Sequence, residues 1–355
     1  MNVPNSHTRF PGTTRGGAVP WLLALTLAAP AQIWAWGNTG HEAVAYVAWQ
    51  QLNPSTQKRV MELLAMVPTL QNPAHTKSIP GFDEWVKDLP AGLSPDERNL
   101  YLFMRAATWP DTIKHEWLHD SDSPPANSKP SEPAIGYTDT ASHGYWHFVD
   151  NGFASDTSKV ATTPAPNAAT QIAELRTAIA SSEGGLDLLK SYELVWLEHL
   201  VGDVHQPLHG AVRFFANNGD RGGNNVKIKL PPAMAKQFEG SLSKTAPTEL
   251  HAFWDDLPGE GAPAEALPFA VKFAKALAPA PEGVNDTDPD DWAKESLAMA
   301  KTDVYRSPIG KGPTQANGSA YAMTPTYYTA ALQDAKARIA LAGARLAKLL
   351  NENLH

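Results

Sequence analysis

Histidine and aspartate recur at one-turn spacing in two apolar segments of this chain, and these residue types can hold a metal ion together. His199 and Asp203 lie four residues apart within 186–206, and His251 and Asp255 repeat the spacing among apolar neighbours. Residues four apart share one face of a helix. A buried carboxylate is costly unless it is paired or coordinates a metal. One such pair could satisfy itself through a hydrogen bond, but the repetition favours a metal site.

Further candidate ligands stand in apolar or aromatic settings elsewhere in the chain. His147 lies between aromatic residues, His209 follows the break at Pro207, and Asp111 comes just after Trp109. Together they are too many to be separate core polar groups that each find their own partner. The chain has no cysteine, so thiolate ligands and disulfides are excluded. Nitrogen and oxygen ligands favour zinc, while ligand type alone leaves manganese and iron open.

The first 35 residues have the layout of a secretory leader. They contain Arg9 and Arg15, no acidic residue, and an apolar run that ends at Ala35, which is typical of a signal peptide that is cleaved. The apolar part is too short and too interrupted by proline to span a bilayer. We therefore expect a secreted or periplasmic protein without a membrane anchor. Cleavage after Ala35 would make Trp36 the mature N-terminus, whose α-amine and carbonyl can chelate a metal.

The chain carries a net negative charge with or without the leader. The formal net charge is −8, and it becomes −10 when the leader, with two basic and no acidic residues, is removed. This argues against a basic groove that would follow nucleic acid by bulk electrostatics. An anionic substrate stays possible, because bound metal ions would dominate the local field.

The elements that would position these residues are predicted to be mostly helices in one domain over 36–355. Ser94 and Glu97 form the pattern of a capping box, and Thr324 is predicted to cap the last helix. Strand patterns predict only a small β-hairpin, in which Ala211–Phe215 would pair with Val226–Leu230. The predicted helices cover 41–52, 55–67, 94–108, 186–206, 248–256, 289–305 and 325–350.

Two segments, 120–142 and 154–168, are predicted to be loops, either at the rim of the site or as surface insertions without a role. His205 is expected to support the candidate metal cluster rather than to join it. The remaining histidines of the mature chain lie in polar or loop contexts and are expected to face solvent. They are His75, His115, His119, His143 and His355.

Taken together, the motifs resemble the zinc-dependent single-strand nucleases of the nuclease S-one / nuclease P-one type over essentially the whole mature chain. Each motif alone is weak, but their number and order make the resemblance specific. The motifs are Trp36-Gly37-x-x-Gly40-His41, Ala107-x-Trp109-x-Asp111, His147-Phe148-Val149-Asp150, His199-x-x-Gly202-Asp203-x-x-Gln206-Pro207-Leu208-His209, Gly222-Gly223-Asn224, Leu250-His251-x-x-Trp254-Asp255, Pro325-Thr326-Tyr327-Tyr328 and Gly343-x-Arg345-Leu346-Ala347.

The resemblance implies a mainly α, single-domain helical fold of the zinc phospholipase C / single-strand nuclease type, and three zinc ions per chain. In this ligand set one aspartate bridges two of the ions. The first ion would be held by Asp111, His147, His199 and Asp203, the second by His209, His251 and Asp255, and the third by the amine and carbonyl of Trp36 with His41 and Asp203.

The resemblance further implies hydrolysis of single-stranded DNA, RNA and 3′-nucleotides to products with a 5′ phosphate. Two close zinc ions can lower the pKa of a bridging water toward ~7, and the remaining ion would stabilise the departing oxygen. Asp111 is the candidate to orient or deprotonate that water. Lys114 stands where the family often has arginine, and it is the candidate to offset charge on the phosphoryl oxygens.

Phe148 and Asp150 are the candidate substrate-binding residues, at positions that form a nucleobase pocket in this family. Phe148 could stack on an unpaired base, a contact worth ~1–3 kcal/mol, or it could belong to the core. Asp150 could accept hydrogen bonds from the base edge. No stable protein partner is implied, and a monomer is expected.

Two other functions stay open at this point. The first alternative is a zinc-dependent phospholipase C, although those enzymes carry glutamate where Asp255 stands. The second is a non-catalytic periplasmic zinc-binding protein, which would not need Asp111 and Lys114 beside an open metal.

Overall fold

The computed structural model describes a large part of the mature chain and none of the predicted leader. The leader over 1–35 and its cleavage therefore lie outside the described residues, as do His75, His119, His355 and the side chain of His115. Among the described helices, none combines the length and apolar character needed to cross a membrane. The described residues are 36–67, 79, 89–115, 124–137, 139, 141–161, 165–181, 186–238, 246–262 and 265–354.

Helices dominate the described residues, as the sequence predicts. The predicted helices are all present, with ends that differ by a few residues. Short 3-10 helices lie at 113–115 and 144–147, and a π-helical turn lies at 300–304. The helices are α1 Asn38–Trp49, α2 Pro54–Met66, α3 Pro95–Ala106, α4 Trp109–Thr112, α5 Ala168–Ile179, α6 Asp187–His205, α7 Pro232–Ala235, α8 Leu250–Asp255, α9 Ala266–Lys275, α10 Pro289–Met299 and α11 Pro325–Asn353.

Helix α6 is the central element, and it packs against α1, α2, α5, α10 and α11. The sequence predicts one buried face, and Tyr192, Trp196, His199 and Asp203 are indeed all fully buried. The structure goes further, because every residue from Lys190 onward in this helix is buried. Since the helix is covered on all sides, any polar group on it must find a partner inside the protein.

Local signals mark where two of the helices begin. The Ser94 side chain accepts a hydrogen bond from Glu97 N at 3.3 Å, and Glu97 Oε2 accepts one from Ser94 N at 2.9 Å, which confirms the predicted capping box. Thr324 Oγ1 accepts a hydrogen bond from Tyr327 N at 3.2 Å at the start of α11. Each contact satisfies a backbone donor that has no partner within its helix.

The strands confirm a small hairpin but correct its pairing. Strand β2 (Val212–Phe215) turns through two residues with positive φ and pairs in antiparallel fashion with β3 (Asn218–Gly219). The predicted second strand forms as β4 (Ile228–Lys229), but it is not the partner of β2. It pairs in parallel with β5 (Tyr321–Ala322) instead. Strand β1 (Gly152–Ala154) ends where the predicted loop 154–168 begins, and it pairs in parallel with β2. The pairing prediction was therefore wrong, since distant segments supply the partners.

Candidate metal centre

His147, His199 and Asp203 bring three potential ligand atoms together beside α6. His147 Nδ1 lies 3.0 Å from Asp203 Oδ2. His199 Nε2 lies 2.9 Å from His147 Nδ1 and 3.2 Å from Asp203 Oδ2. All three side chains are fully buried. Two imidazole nitrogens and a carboxylate oxygen at this spacing form a donor set suited to zinc.

Asp111 and His41 extend this group on its other sides. Asp111 Oδ1 lies 3.6 Å from His199 Nε2 and 3.8 Å from His147 Nδ1. His41 Nε2 lies 3.4 Å from Asp203 Oδ1, and its ring stacks on the His199 ring with centroids 3.9 Å apart. Asp203 therefore turns one oxygen toward His147 and His199 and the other toward His41. This is the arrangement that a bridging carboxylate requires.

A second group forms where α8 meets the turn that follows α6. His251 Nε2 lies 3.4 Å from Asp255 Oδ2, and His209 Nε2 lies 4.0 Å from Asp255 Oδ1. The two imidazole rings stack with their centroids 5.0 Å apart. His209 also links the groups, because its Nδ1 lies 3.7 Å from Asp203 Oδ1. The eight predicted side-chain ligands thus converge into two adjoining groups.

Backbone carbonyls fix the orientation of three of the imidazoles. His199 Nδ1 donates to Ala107 O at 2.7 Å, His209 Nδ1 to His147 O at 2.7 Å, and His251 Nδ1 to Gly222 O at 2.6 Å. A proton on Nδ1 leaves the lone pair on Nε2, so each ring presents an acceptor nitrogen to its group. A histidine that binds a metal through one ring nitrogen typically donates a hydrogen bond from the other nitrogen in this way.

Several buried polar atoms of the site lack a hydrogen-bond partner within the described residues. In native structures such atoms are rare and require an explanation, of which a bound ion is one. A divalent cation would supply a missing contact to the carboxylate oxygens and to one nitrogen of an imidazole, whose other nitrogen carries a proton, so the residues fit the metal that the resemblance implies. The atoms are His41 Nδ1 and Nε2, Asp111 Oδ2, His147 Nε2, Asp203 Oδ1, His209 Nε2 and Asp255 Oδ2.

The electrostatics of the groups lead to the same conclusion. Burial lowers the pKa of His41 to about 4 and that of His147 to about 3, so both rings are neutral near pH 7 with a lone pair to donate. Burial also raises the pKa of Asp255 well above its ordinary value, despite the hydrogen bond from Gln206. A carboxylate in this environment lacks a positive partner, which a metal ion would provide.

Trp36 is fully buried beside the site. Its indole Nε1 donates to Gly202 O at 3.0 Å, and the next residue's backbone N, of Gly37, donates to Asp255 O at 3.0 Å. A Cβ on Gly40 would lie 2.6 Å from Trp36 Cβ, so glycine permits this close packing. The first described residue is thereby held between the two helices that carry the ligands. Coordination by its α-amine stays a prediction.

Lys114 lies next to the predicted catalytic carboxylate, in the tight turn that follows α4. Its Nζ donates to Asp111 Oδ1 at 2.6 Å, and its side chain is 13% exposed. Burial alone would raise the pKa of Asp111, but the charges of Lys114 and the neighbouring imidazoles outweigh it and lower the pKa. The pair thus places a cation beside an ionised acceptor at the site.

Phe148 and Asp150 follow His147 directly and are half-buried, unlike the fully buried ligand. The backbone here is extended and tied to the site, because Val149 N donates to His209 O at 2.7 Å. The structure therefore places the backbone between these two residues against the segment that carries His209. Their contact with a nucleobase stays a prediction.

Three polar side chains near the site can be compared with the sequence predictions: one prediction was wrong, one agrees with the structure, and one residue was missed. His143 was predicted to face solvent, which is wrong: it is buried, stacks on Trp146 at 4.0 Å, and contacts acidic side chains of the preceding loop. His205 is buried outside the metal groups, as expected. Gln206 was missed, although its Nε2 donates to Asp255 Oδ1 at 2.7 Å. Its place in a helix-breaking motif between ligands was the available signal.

Comparison with known proteins agrees with this geometry. Residues 36–355 match the family model described as S1/P1 Nuclease. The chain is 24% identical over 348 residues to Nuclease S1 of Aspergillus oryzae, which covers 93% of this chain and 96% of that protein. It is 26% identical over 337 residues to Endonuclease 4 of Arabidopsis thaliana, with 89% and 88% covered. It is 25% identical over 350 residues to Endonuclease 2 of the same plant, with 93% of each covered.

Proposed function

This chain belongs to the S1/P1 nuclease family, and from that premise we propose that it is a nuclease that hydrolyses single-stranded DNA and RNA and the phosphate of 3′-nucleotides. The observation that supports the proposal most is the convergence of eight buried histidine and aspartate side chains, several with unpartnered ligand atoms. The chain matches relatives named nuclease or endonuclease over most of their length, and these names support the same reaction class.

We propose zinc as the metal, with three ions per mature chain. When bound, zinc lowers the pKa of a coordinated water and polarises phosphoryl oxygens. The third site needs a free α-amine on Trp36, so it depends on removal of the leader. The proposed ligands are Asp111, His147, His199 and Asp203 for the first ion, His209, His251 and Asp255 for the second, and Trp36, His41 and Asp203 for the third.

Asp111 and Lys114 are the proposed catalytic side chains. Asp111 Oδ1 is held by the Lys114 ammonium at 2.6 Å, while Oδ2 has no hydrogen-bond partner among the described residues. This second oxygen can accept a hydrogen bond from the attacking water and orient it toward phosphorus. The Lys114 ammonium lies beside this carboxylate. From there it can offset the negative charge that develops on the phosphoryl group.

Phe148 and Asp150 are the proposed nucleobase contacts. Phe148 is half-buried and directly follows the proposed ligand His147, which supports a contact with the base of a nucleotide bound at this site. Stacking of this kind needs an exposed base face, which a duplex hides. Asp150 can accept hydrogen bonds from a base amino group. Together these contacts would account for a preference for single strands.

The setting of the enzyme follows from the same argument. We propose export to the periplasm or the medium, because the leader has the layout of a signal peptide. We propose that it acts as a monomer, because all the proposed ligands come from one chain. The site therefore needs no partner subunit.

The phospholipase C alternative is the most useful comparison in the test, because those enzymes share the zinc layout. The purified mature protein, starting at Trp36, is assayed for zinc content and for cleavage of single-stranded DNA, RNA, duplex DNA, a 3′-nucleotide and a phosphatidylcholine analogue, with and without chelator. About three zinc ions and chelator-sensitive cleavage of single strands to 5′-phosphate ends are expected.

A matched pair of variants makes this test specific. Asp255→Asn, in α8, removes a proposed ligand charge, whereas Asp187→Asn removes an acid at the start of α6, where it pairs with Arg59. The first change should abolish cleavage and lower zinc content, and the second should leave both intact. Lipid cleavage without nucleic-acid cleavage would move the assignment to the phospholipase. Zinc binding with neither activity would leave a metal-binding protein.

A further inference from the structure

The C-terminal end of α6 is buried, and its last carbonyls cannot be satisfied by water. His205 and Gln206 are fully buried, and the turn beyond them leads directly to His209. His209, in the second metal group, comes only six positions after Asp203 in the first. The last turn of a helix leaves carbonyl groups without intrahelical donors. The partners of these carbonyls therefore fix the path between the two groups.

Side chains donate to carbonyls in the final part of the helix. His205 Nδ1 donates to Val201 O at 2.8 Å. Ser296 Oγ donates to Val204 O at 2.6 Å, and Arg338 Nε donates to His205 O at 3.0 Å. Two carbonyls at the end of α6, of Val204 and His205, are thus held by a hydroxyl and a guanidinium, and the His205 imidazole binds the Val201 carbonyl one turn earlier.

A second arginine binds these donors into one network. Arg345, in the Gly343-x-Arg345-Leu346-Ala347 motif, is fully buried, and its Nη1 donates to His205 Nε2 at 2.9 Å. Because arginine can only donate, His205 Nε2 must be the acceptor and Nδ1 must carry the proton. Glu295 accepts from Arg345 at 2.7 and 2.8 Å and from Arg338 at 2.8 Å. The network therefore fixes a single tautomer of His205.

The network also lies against the residue that follows His209. Ser296 packs against the residue after His209, since a Cβ on Gly210 would lie only 2.5 Å from Ser296 Cβ. A buried ion network is weak evidence for stability, because well-packed apolar residues often replace one without loss. Its hydrogen bonds to the end of α6, however, are not interchangeable with apolar contacts.

We infer that His205, Ser296, Glu295, Arg338 and Arg345 are positioning residues, which set the placement of Asp203 relative to His209 and so tune metal affinity in both groups. The inference rests on the metal binding in the proposed function. None of these five side chains is a proposed ligand. They act through the backbone of the last turn of α6 and of the segment that follows it.

The test compares variants by zinc affinity, measured by chelator competition, and by the absorption spectrum of the Co²⁺-substituted protein. His205→Leu cannot donate to Val201 O or accept from Arg345, whereas His205→Gln can do both. Ser296→Ala removes one donor with little change in volume, which keeps the test open if His205→Leu does not fold. Arg59→Lys is the control, because Arg59 pairs with Asp187 at the other end of α6.

Loss of an outer contact to a metal site typically weakens binding by about 10–100-fold. We expect about tenfold weaker zinc binding and a shifted Co²⁺ spectrum in His205→Leu and Ser296→Ala. His205→Gln should lie much closer to the wild type, and Arg59→Lys should match it. Variants that bind metal like the wild type would overturn the inference, as would an equal loss in Arg59→Lys. A wild-type protein that binds no metal would instead overturn the proposed function.

Discussion

Replacing Gly202 by alanine should lower the metal affinity of the protein and should not raise its unfolding free energy, although the same change stabilises most helices. Gly202 lies inside α6, where alanine gains about 1 kcal/mol over glycine from helix propensity alone. An alanine Cβ, however, would lie 2.8 Å from His41 Nδ1 and 3.1 Å from His41 Cε1. The His41 ring is fully buried and stacked on His199, so it cannot move without disturbing a second ligand.

The size of the effect follows from these opposing contributions. Overpacking a core costs about 1–3 kcal/mol, so the metal-free variant should lose between about 0 and 2 kcal/mol of unfolding free energy after the helix gain is subtracted. Displacement of His41 should reduce metal affinity by about 10–100-fold, as for other changes beside a ligand. The variant should therefore lose more stability with zinc than without it.

Chemical unfolding with excess chelator and again with a fixed zinc concentration measures both quantities. Gly343→Ala is the matched control, because its Cβ would lie 2.5 Å from Val47 Cβ and would overpack the same helix α1 away from any ligand. The control should lose stability equally in both conditions. A Gly202→Ala protein that is about 1 kcal/mol more stable than the wild type and binds zinc normally would refute the reasoning.

Three further changes test the roles of single residues. Lys114→Gln should lower kcat by about 10²–10³-fold with zinc content unchanged, while Lys114→Arg retains most of the rate, as steady-state kinetics and metal analysis would show. Phe148→Ala should lower kcat/KM for single strands by a factor equivalent to ~1–3 kcal/mol, and Phe148→Trp should not; equal losses in both would exclude stacking. Burial raises the pKa of Glu295, but hydrogen bonds and charges from Arg345 and Arg338 outweigh it and hold the pKa below its ordinary value. The stability from this carboxylate is therefore complete above its unfolded pKa near ~4.3 and is lost as pH falls through the lower folded value. In chelated protein, Glu295→Gln should flatten that acid-side loss of unfolding free energy, and an unchanged slope would contradict it.

The sequence predicted which histidines and aspartates come together in buried groups, because burying such side chains has a high cost unless they are paired or bind a metal. His199 and Asp203 lie on an apolar helix face, and His251 and Asp255 repeat the pattern, so local spacing already indicated convergence. The helix ends were also predictable, since the Ser94 capping box is a local signal. These features depend only on residues within one or two turns of each other.

The failures concern contacts between distant segments. Nothing in Ile228–Lys229 indicates a parallel partner at Tyr321–Ala322, so a hairpin with the nearer strand was the natural prediction. His143 looked like a loop residue, yet its ring stacks on Trp146 and its nitrogens face Asp139 and Glu132. Burial that is created by a folded loop cannot be read from the polarity of its own sequence.

The unpartnered atoms of the site also predict how metal removal should change the molecule. Seven buried polar atoms of the proposed ligand residues lack a hydrogen bond within the described residues, and leaving a buried polar atom without a partner costs about 1–3 kcal/mol. Such a sum rivals the whole stability of a typical domain, about 5–15 kcal/mol. The chelated protein should therefore relax locally and admit water around Asp203 rather than keep the packed geometry. Hydrogen exchange of the amides from His199 to His209 should accelerate on chelation, while those of the buried residues Ser191–Val195, earlier in α6, stay protected. Equal protection at both ends would mean that the protein satisfies these atoms without a metal, and the argument from burial would fail.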